Sequence, residues 1–263
     1  MVSNPQAEPT ACRIVKLYNQ KDTTSYTTYQ YDSQNRLTLQ TTYGQGKVKS
    51  TYAYSFNALG QMEKFTVKQK ATYFYGQQEL TENIVDVFTF ERNTLGLITK
   101  FFKTRPIPTT GLFTDGKLEG TCEYDREGNR TRITSTYNTN MAVYNAVREY
   151  TYLNGNCMKE VIHQPGLPDI KTEYEYYLDK EEKLRDFYQT YARKYLMGPT
   201  ANKNMLKKET KYDGKGQAAA TLLITYEFNE LGYALKNIMD YNFQNPDGVE
   251  ADIFTNIAEY ECQ

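Results

Sequence analysis

The feature that most constrains this chain is one short turn that recurs along it. Asp or Asn, two variable residues and Gly stand at Asn57 to Gly60, Asn93 to Gly96, Asp125 to Gly128, Asp213 to Gly216 and Asn229 to Gly232, and Asp32 to Asn35 repeats the pattern with Asn in place of Gly. The pattern suits a type I turn closed by a left-handed residue, the usual three-residue hairpin. Asparagine is the next residue after glycine to tolerate positive φ. Leu153-Asn154-Gly155-Asn156 adds a tighter variant, because Asn-Gly is the strongest two-residue hairpin signal.

The residues before the turns alternate. Tyr29 and Tyr31, Tyr52, Tyr54 and Phe56, Phe88 and Phe90, Cys122 and Tyr124, Tyr150 and Tyr152, Tyr174 and Tyr176, and Tyr226 and Phe228 each recur every second position, which puts each set on one face of a sheet. The turn type fixes the register. Tyr31 should face Leu37, Phe56 should face Met62 and Phe228 should face Ala234, in cross-strand pairs worth a few tenths to about 1 kcal/mol each. Tyr124 falls opposite Arg130, and we expect that arginine to face water rather than to stack on the ring. Twenty-five tyrosines, interleaved threonines and no tryptophan suit pleated, half-buried surfaces and disfavour a helical bundle. From one motif to the next the chain has room for one strand, a far connection and a returning strand, so the product is an antiparallel meander.

The rhythm breaks after Tyr177. In DKEEKLRDFYQTYARKYLMGP, Leu184, Phe187, Tyr188, Tyr191, Tyr195 and Leu196 fall at helical spacing, with Asp179 and Glu182 as a capping box and Gly198-Pro199 as a stop. The spacing predicts one helix over 180–197. The turns up to Asn154 can share one end of the sheet, and the turn at Asn229 joins them if the helix does not cross from end to end. Cys12 and Cys262 then reach that same end. The expectation is a mainly β fold of about 16 strands rolled into a large or half-open barrel, its concave side plugged or covered by the helix. Residues 1–11 read as a disordered tether and 12–263 as a single β-meander domain. Positions such as Thr28, Gln30, Lys47, Lys49 and Lys68 are too polar for the outward apolar band of an outer-membrane porin.

YDSQNRL, FNALGQM, YDREGNR and FNELGYA resemble the YD repeat of bacterial Rhs-type surface proteins, over most of residues 24–243. The short chain also looks like Bacteroidetes lipoprotein families of unknown function with a porin-like fold. This resemblance implies an enclosing or presenting scaffold and an exported protein of a Gram-negative periplasm or outer-membrane surface. It transfers no catalytic residue. The polar, proline-containing opening MVSNPQAEPTA resembles the tether behind a lipidated cysteine, with a plain disordered tail as the alternative.

Charge and motifs exclude several classes. Lys plus Arg number 31 against 32 Asp plus Glu, so no net field would draw the chain to nucleic acid, and a membrane would be met only through an N-terminal lipid anchor. The one histidine, His163, has no companion for a metal site, and neither a serine elbow nor a phosphate loop is present. Asp32, Asp125 and Asp213 stand at hairpin starts, where they should accept hydrogen bonds from their own turns rather than act as glycosidase carboxylates. No catalytic residue, metal or cofactor is expected. Four cysteines in an exported chain allow two disulfides, with Cys12 to Cys262 the attractive pair, Cys157 a buried thiol and Cys122 too distant to bridge it.

Three longer segments, 103–117, 163–169 and 197–205, escape the hairpin rhythm. If they gather at one end, that end is the binding face, and Arg105, Phe113 and His163 are its candidate ligand-binding residues. The functions this allows are a non-catalytic envelope protein that binds a glycan, a small amphipathic ligand or a surface partner, a periplasmic carrier of a lipid-like ligand, or a degenerate hydrolase.

Overall fold

The computed structural model describes residues 12–75, 78–105, 116–138, 142–184, 198–199, 202–245 and 248–262. The strands, in chain order, are β1 (Cys12–Asn19), β2 (Asp22–Tyr31), β3 (Leu37–Gly44), β4 (Lys47–Phe56), β5 (Met62–Tyr75), β6 (Gln78–Arg92), β7 (Ile98–Thr104) and β8 (Lys117–Tyr124). They continue with β9 (Arg130–Asn138), β10 (Val143–Leu153), β11 (Asn156–His163), β12 (Ile170–Glu181), β13 (Asn204–Tyr212), β14 (Ala218–Phe228), β15 (Ala234–Asn245) and β16 (Gly248–Cys262). Every strand pairs antiparallel with its chain neighbours, and β16 returns to β1, so the sixteen strands form a closed barrel rather than a half-open one.

Turn chemistry sets the register as expected. Asn35, Gly60, Gly96, Gly128, Gly216 and Gly232 take positive φ, and at Asn154-Gly155 both residues do. The first side chain of each motif holds the turn from within: Asp32 Oδ1 accepts from the amides of Gln34 and Arg36 (both 2.9 Å), and Asn57, Asn93, Asp125 and Asp213 repeat the same pair of bonds. Tyr31 faces Leu37, Phe56 faces Met62, Phe228 faces Ala234 and Tyr152 faces Cys157, each next to a bulge.

The predicted helix is not found among the described residues. Lys180 and Glu181 belong to β12, Glu182 to Leu184 contain no helix, and residues 185–197 lie outside the described residues. The local cap loses to strand partners: the Glu182 amide donates to Lys203 O (2.9 Å), and Asn204 Nδ2 donates to the carbonyls of Leu178 and Lys180 (3.2 and 3.3 Å). Among the described residues the chain is all β.

Pairing registers and the two-residue period assign side chains to faces. Lys64, Lys68, Lys100, Glu119, Arg132, Glu175 and Lys208 point outward, while Tyr29, Tyr54, Phe65, Phe101, Ile133 and Tyr150 point inward and form the core. The connections β2–β3, β4–β5, β6–β7, β8–β9, β10–β11, β12–β13 and β14–β15 and the two cysteine-bearing termini share one end, called here the hairpin end. The turn at Asp213 lies at the opposite, far end.

Candidate functional site

At the hairpin end the inner face is packed and bonded shut. A bulge leaves one strand carbonyl out of the ladder, and a buried carbonyl needs a donor. The inward tyrosines supply it: Tyr31 Oη donates to Ile14 O (2.7 Å), Tyr124 to Ile98 O (2.9 Å), Tyr176 to Cys157 O (2.6 Å), Tyr226 to Leu206 O (2.8 Å) and Tyr260 to Ala234 O (2.8 Å). On β6 an arginine does the same work, with Arg92 Nη2 donating to Met62 O (2.6 Å). Each bond ties one strand to the strand before it. Burial pushes the Tyr31, Tyr176, Tyr226 and Tyr260 phenols up from the ordinary value, so they stay protonated as donors.

Arg130 corrects an expectation. It is 1% exposed rather than facing water, its guanidinium lies 5.7 Å from the centre of the Tyr124 ring, and Nη1 donates to Gly198 O (3.1 Å). Gly198 belongs to the β12–β13 connection, three strands and more from β9. The connection therefore reaches across the hairpin end. Its return is pinned by Asn202 Oδ1, which accepts from the Cys157 amide (2.8 Å), and by the Lys203 amide, which donates to Gly155 O (3.0 Å). Two buried asparagines close the seam: Asn156 Nδ2 donates to Asn204 Oδ1, and the Asn204 amide donates to Asn156 Oδ1, both at 2.9 Å. Cys12 and Cys262, opposite each other in the β1–β16 register, form a disulfide at this end. Cys122 and Cys157 are buried free thiols, and burial raises the Cys157 thiol to about 12, which removes it as a nucleophile.

The loop candidates do not form one site. Segments 103–117 and 163–169 lie at the far end, but 197–205 lies at the hairpin end. Arg105 is not an exposed loop residue. The inward alternation of Phe101 and Lys103 carries on past the end of β7, and Arg105 Nε donates to Asp86 Oδ1 (2.9 Å) with Lys103 Nζ 3.7 Å from the same carboxylate. Phe113 lies outside the described residues. His163 is outward and half exposed, with Nδ1 2.8 Å from Asp169 Oδ1 and Nε2 3.4 Å from Glu149 Oε2. The hydrogen bond to Asp169 raises its pKa. Arg105 and His163 stand at the ends of strands four apart, roughly 19 Å along a sheet with about 4.8 Å between strands.

The far end differs from the hairpin end. Several inward rings there are exposed, with Tyr144 at 57%, Phe243 at 41% and Phe254 at 38%, against 1% for Phe65 and 0% for Phe101 deeper in the barrel. The sequence pattern held this signal, in the alternation of Tyr241 and Phe243, but no turn motif marked it. The lining is not continuously apolar. Asn19, Asn256 and Asn237 share one inward rung, and Arg148, Glu160 and Tyr174 form a bonded set with Arg148 Nη1 to Glu160 Oε1 at 2.8 Å and Tyr174 Oη to Glu160 Oε2 at 3.1 Å. A shallow depression of about 510 Å³ at the hairpin end, bounded by Asp125, Glu127, Thr131 and Tyr152, offers no free acid pair, since Asp125 is held by its own turn. No cluster of metal-ligating side chains occurs among the described residues.

No family model and no curated protein matches the sequence. Solved structures do. A porin-like protein from Bacteroides uniformis is 13% identical, with 98% of this chain and 99% of that chain covered at a TM-score of 0.50. A second porin-like protein, from Bacteroides vulgatus, is 9% identical over 94% of this chain and 98% of that one at a TM-score of 0.44. A chain of the Photorhabdus luminescens Tc holotoxin pore is 13% identical over 90% of this chain and 16% of its own length at a TM-score of 0.31. The first of these likenesses defines the fold class: this chain is a sixteen-stranded barrel of porin-like fold.

Proposed function

We propose that the protein is a non-catalytic barrel of the cell envelope that receives a ligand or a surface partner at its far end. The observation that carries this reading is the gradient along the inner face, from buried rings at the hairpin end to exposed rings at the far end. A rigid wall that presents exposed rings at one end has the build of a binding scaffold. The Cys12–Cys262 disulfide supports export, since disulfides persist in oxidising compartments. The resemblance to YD-repeat shells and to tethered lipoproteins supports the same compartment, with a lipid anchor at the N-terminus as the membrane contact. The polar outward face does not suit a barrel embedded in lipid. A glycan is favoured over a lipid-like ligand, because an acyl chain would desolvate the asparagine rung and the Arg148–Glu160 pair without replacing their partners. The hydrolase alternative loses its carboxylates to the turns.

A labelling experiment tests the reading. Ala220→Cys sits on the inner face at the far end, and Ala258→Cys sits on the inner face in the packed half. The first should react rapidly with a maleimide dye and become protected when a soluble envelope-glycan preparation is added. Equal, slow labelling at both positions would overturn the open far end. Recovery of the protein with the cytosolic fraction of its own cells would overturn the compartment.

A further inference from the structure

Resting on that reading of the far end, we propose a neutral oligosaccharide site on the inner face of β14 to β16. Register puts Ile224, Met239 and Phe254 on one inward rung, Leu222, Tyr241 and Asp252 on the next, and Ala220 beside Phe243 on the one nearest the mouth. Tyr241 and Phe243 hold their rings parallel within 3° at 5.9 Å, and Phe254 meets Tyr241 edge-on at 5.7 Å. The three rings therefore form one contiguous aromatic cluster. Most inward rings of this barrel are covered by a neighbour, but Phe243 faces the small side chain of Ala220 across the strand pair and remains exposed.

The polar groups around the rings choose the ligand. Asp252 lies on the Tyr241 rung, and the Asn256 carboxamide, bonded to Asn237 at 3.1 Å, lies on the inward rung below Phe254. A pyranose has an apolar C–H face that stacks on a ring and an equatorial edge of hydroxyls that donate to a carboxylate and exchange bonds with an amide. An acyl chain would cover the rings but strip water from Asp252 and Asn256 without replacing it. An anionic ligand would meet the carboxylate of Asp252. The inward cation beside Ala220, Lys211, is 3.2 Å from Glu209 and neutralised by it. The chemistry that satisfies rings, acid and amide together is that of an uncharged sugar chain lying along β15.

Isothermal titration calorimetry on the intact protein tests this with cellohexaose, maltohexaose, mannohexaose and xylohexaose, and with hexagalacturonate and oleate as contrasts. At least one neutral hexasaccharide should bind. Phe243→Ala combined with Phe254→Ala should weaken that binding at least tenfold with an unchanged thermal midpoint, and Asp252→Ala should weaken it less. If the double variant melts early, Ala220→Trp fills the space beside Phe243 and should block binding with all three rings intact. Neutral-sugar binding that survives both the ring and the filling variants overturns this site while leaving the far-end reading in place. Oleate or hexagalacturonate binding that is lost in those variants overturns the ligand class. Silence from all four neutral sugars overturns the inference, and the cysteine-protection experiment then decides the broader reading separately.

Discussion

The two ends of this barrel are made from the same strands and treat them in opposite ways. At the hairpin end, tight turns, tyrosine-to-carbonyl bonds, the Arg130–Gly198 contact and a disulfide hold the inward rings in a packed cluster. At the far end the same inward alternation continues, yet rings such as Phe243 and Tyr144 remain exposed. Both ends are rich in aromatics. What separates them is the set of hydroxyl-to-carbonyl bonds that tie hairpin-end tyrosines to the preceding strand. Aromatic content alone therefore does not distinguish a core from a binding surface in a tyrosine-rich sheet.

The largest expected break in this contrast comes from the staple. Cys12→Ser with Cys262→Ser opens a loop spanning 250 residues, and chain entropy assigns such a closure an upper estimate of about 5 kcal/mol, read as a fall in the urea midpoint. An unchanged midpoint would mean that strand pairing alone closes the barrel. Next, Phe65→Ala in the packed half should cost about 4 kcal/mol, while Phe243→Ala at the exposed end should cost under about 1 kcal/mol. Equal costs in the same denaturation assay would remove the contrast. Tyr124→Phe deletes the hydroxyl that donates to Ile98 O and accepts from Arg130 Nε and Nη2 (both 3.4 Å), and should cost about 2 kcal/mol. Arg130→Met keeps the volume and removes the buried charge, so global stability should change little. Amide exchange at Gly198 and Lys203 should nevertheless speed up, because the latch on the β12–β13 connection is gone.

The smallest effect should come from pH at the far end. The folded pKa of His163 is raised above its ordinary value of about 6.5, first by the hydrogen bond to Asp169. The contribution of the imidazolium is therefore fully present below the unfolded value and is lost as pH rises through the raised folded value. His163→Gln should flatten a slight decline of thermal midpoint with pH across that window, and a steeper decline in the variant would contradict the assignment.

How much of this was legible follows from how far each interaction reaches along the chain. The hairpin registers were readable because Asp32, Asn57 and their counterparts fix the turn within four residues. The strand count and the closing pair of cysteines followed from counting crossings. Arg130 was misread because its partner, Gly198, lies 68 residues on and no local pattern announces it. The residues that carry the helical spacing lie mostly in 185–197, outside the described residues, while the cap expected at Asp179 and Glu182 gave way to bonds with Lys203 and Asn204. Arg105 looked like a loop residue because segment 103–117 escapes the hairpin rhythm, although the inward period of Phe101 and Lys103 already pointed it at Asp86. The far-end rings were in plain sight as an alternation, but exposure is a property of the neighbours and not of the residues themselves.

The joined cysteines carry one more consequence. Because Cys12 and Cys262 are covalently linked, the chain between them is a closed loop in the topological sense. A single protease cut in any of its connections releases no fragment, and each half remains held on both flanks by intact strand ladders. Under non-reducing electrophoresis a nicked molecule should run as one band, and only reductant should reveal where the ring was opened.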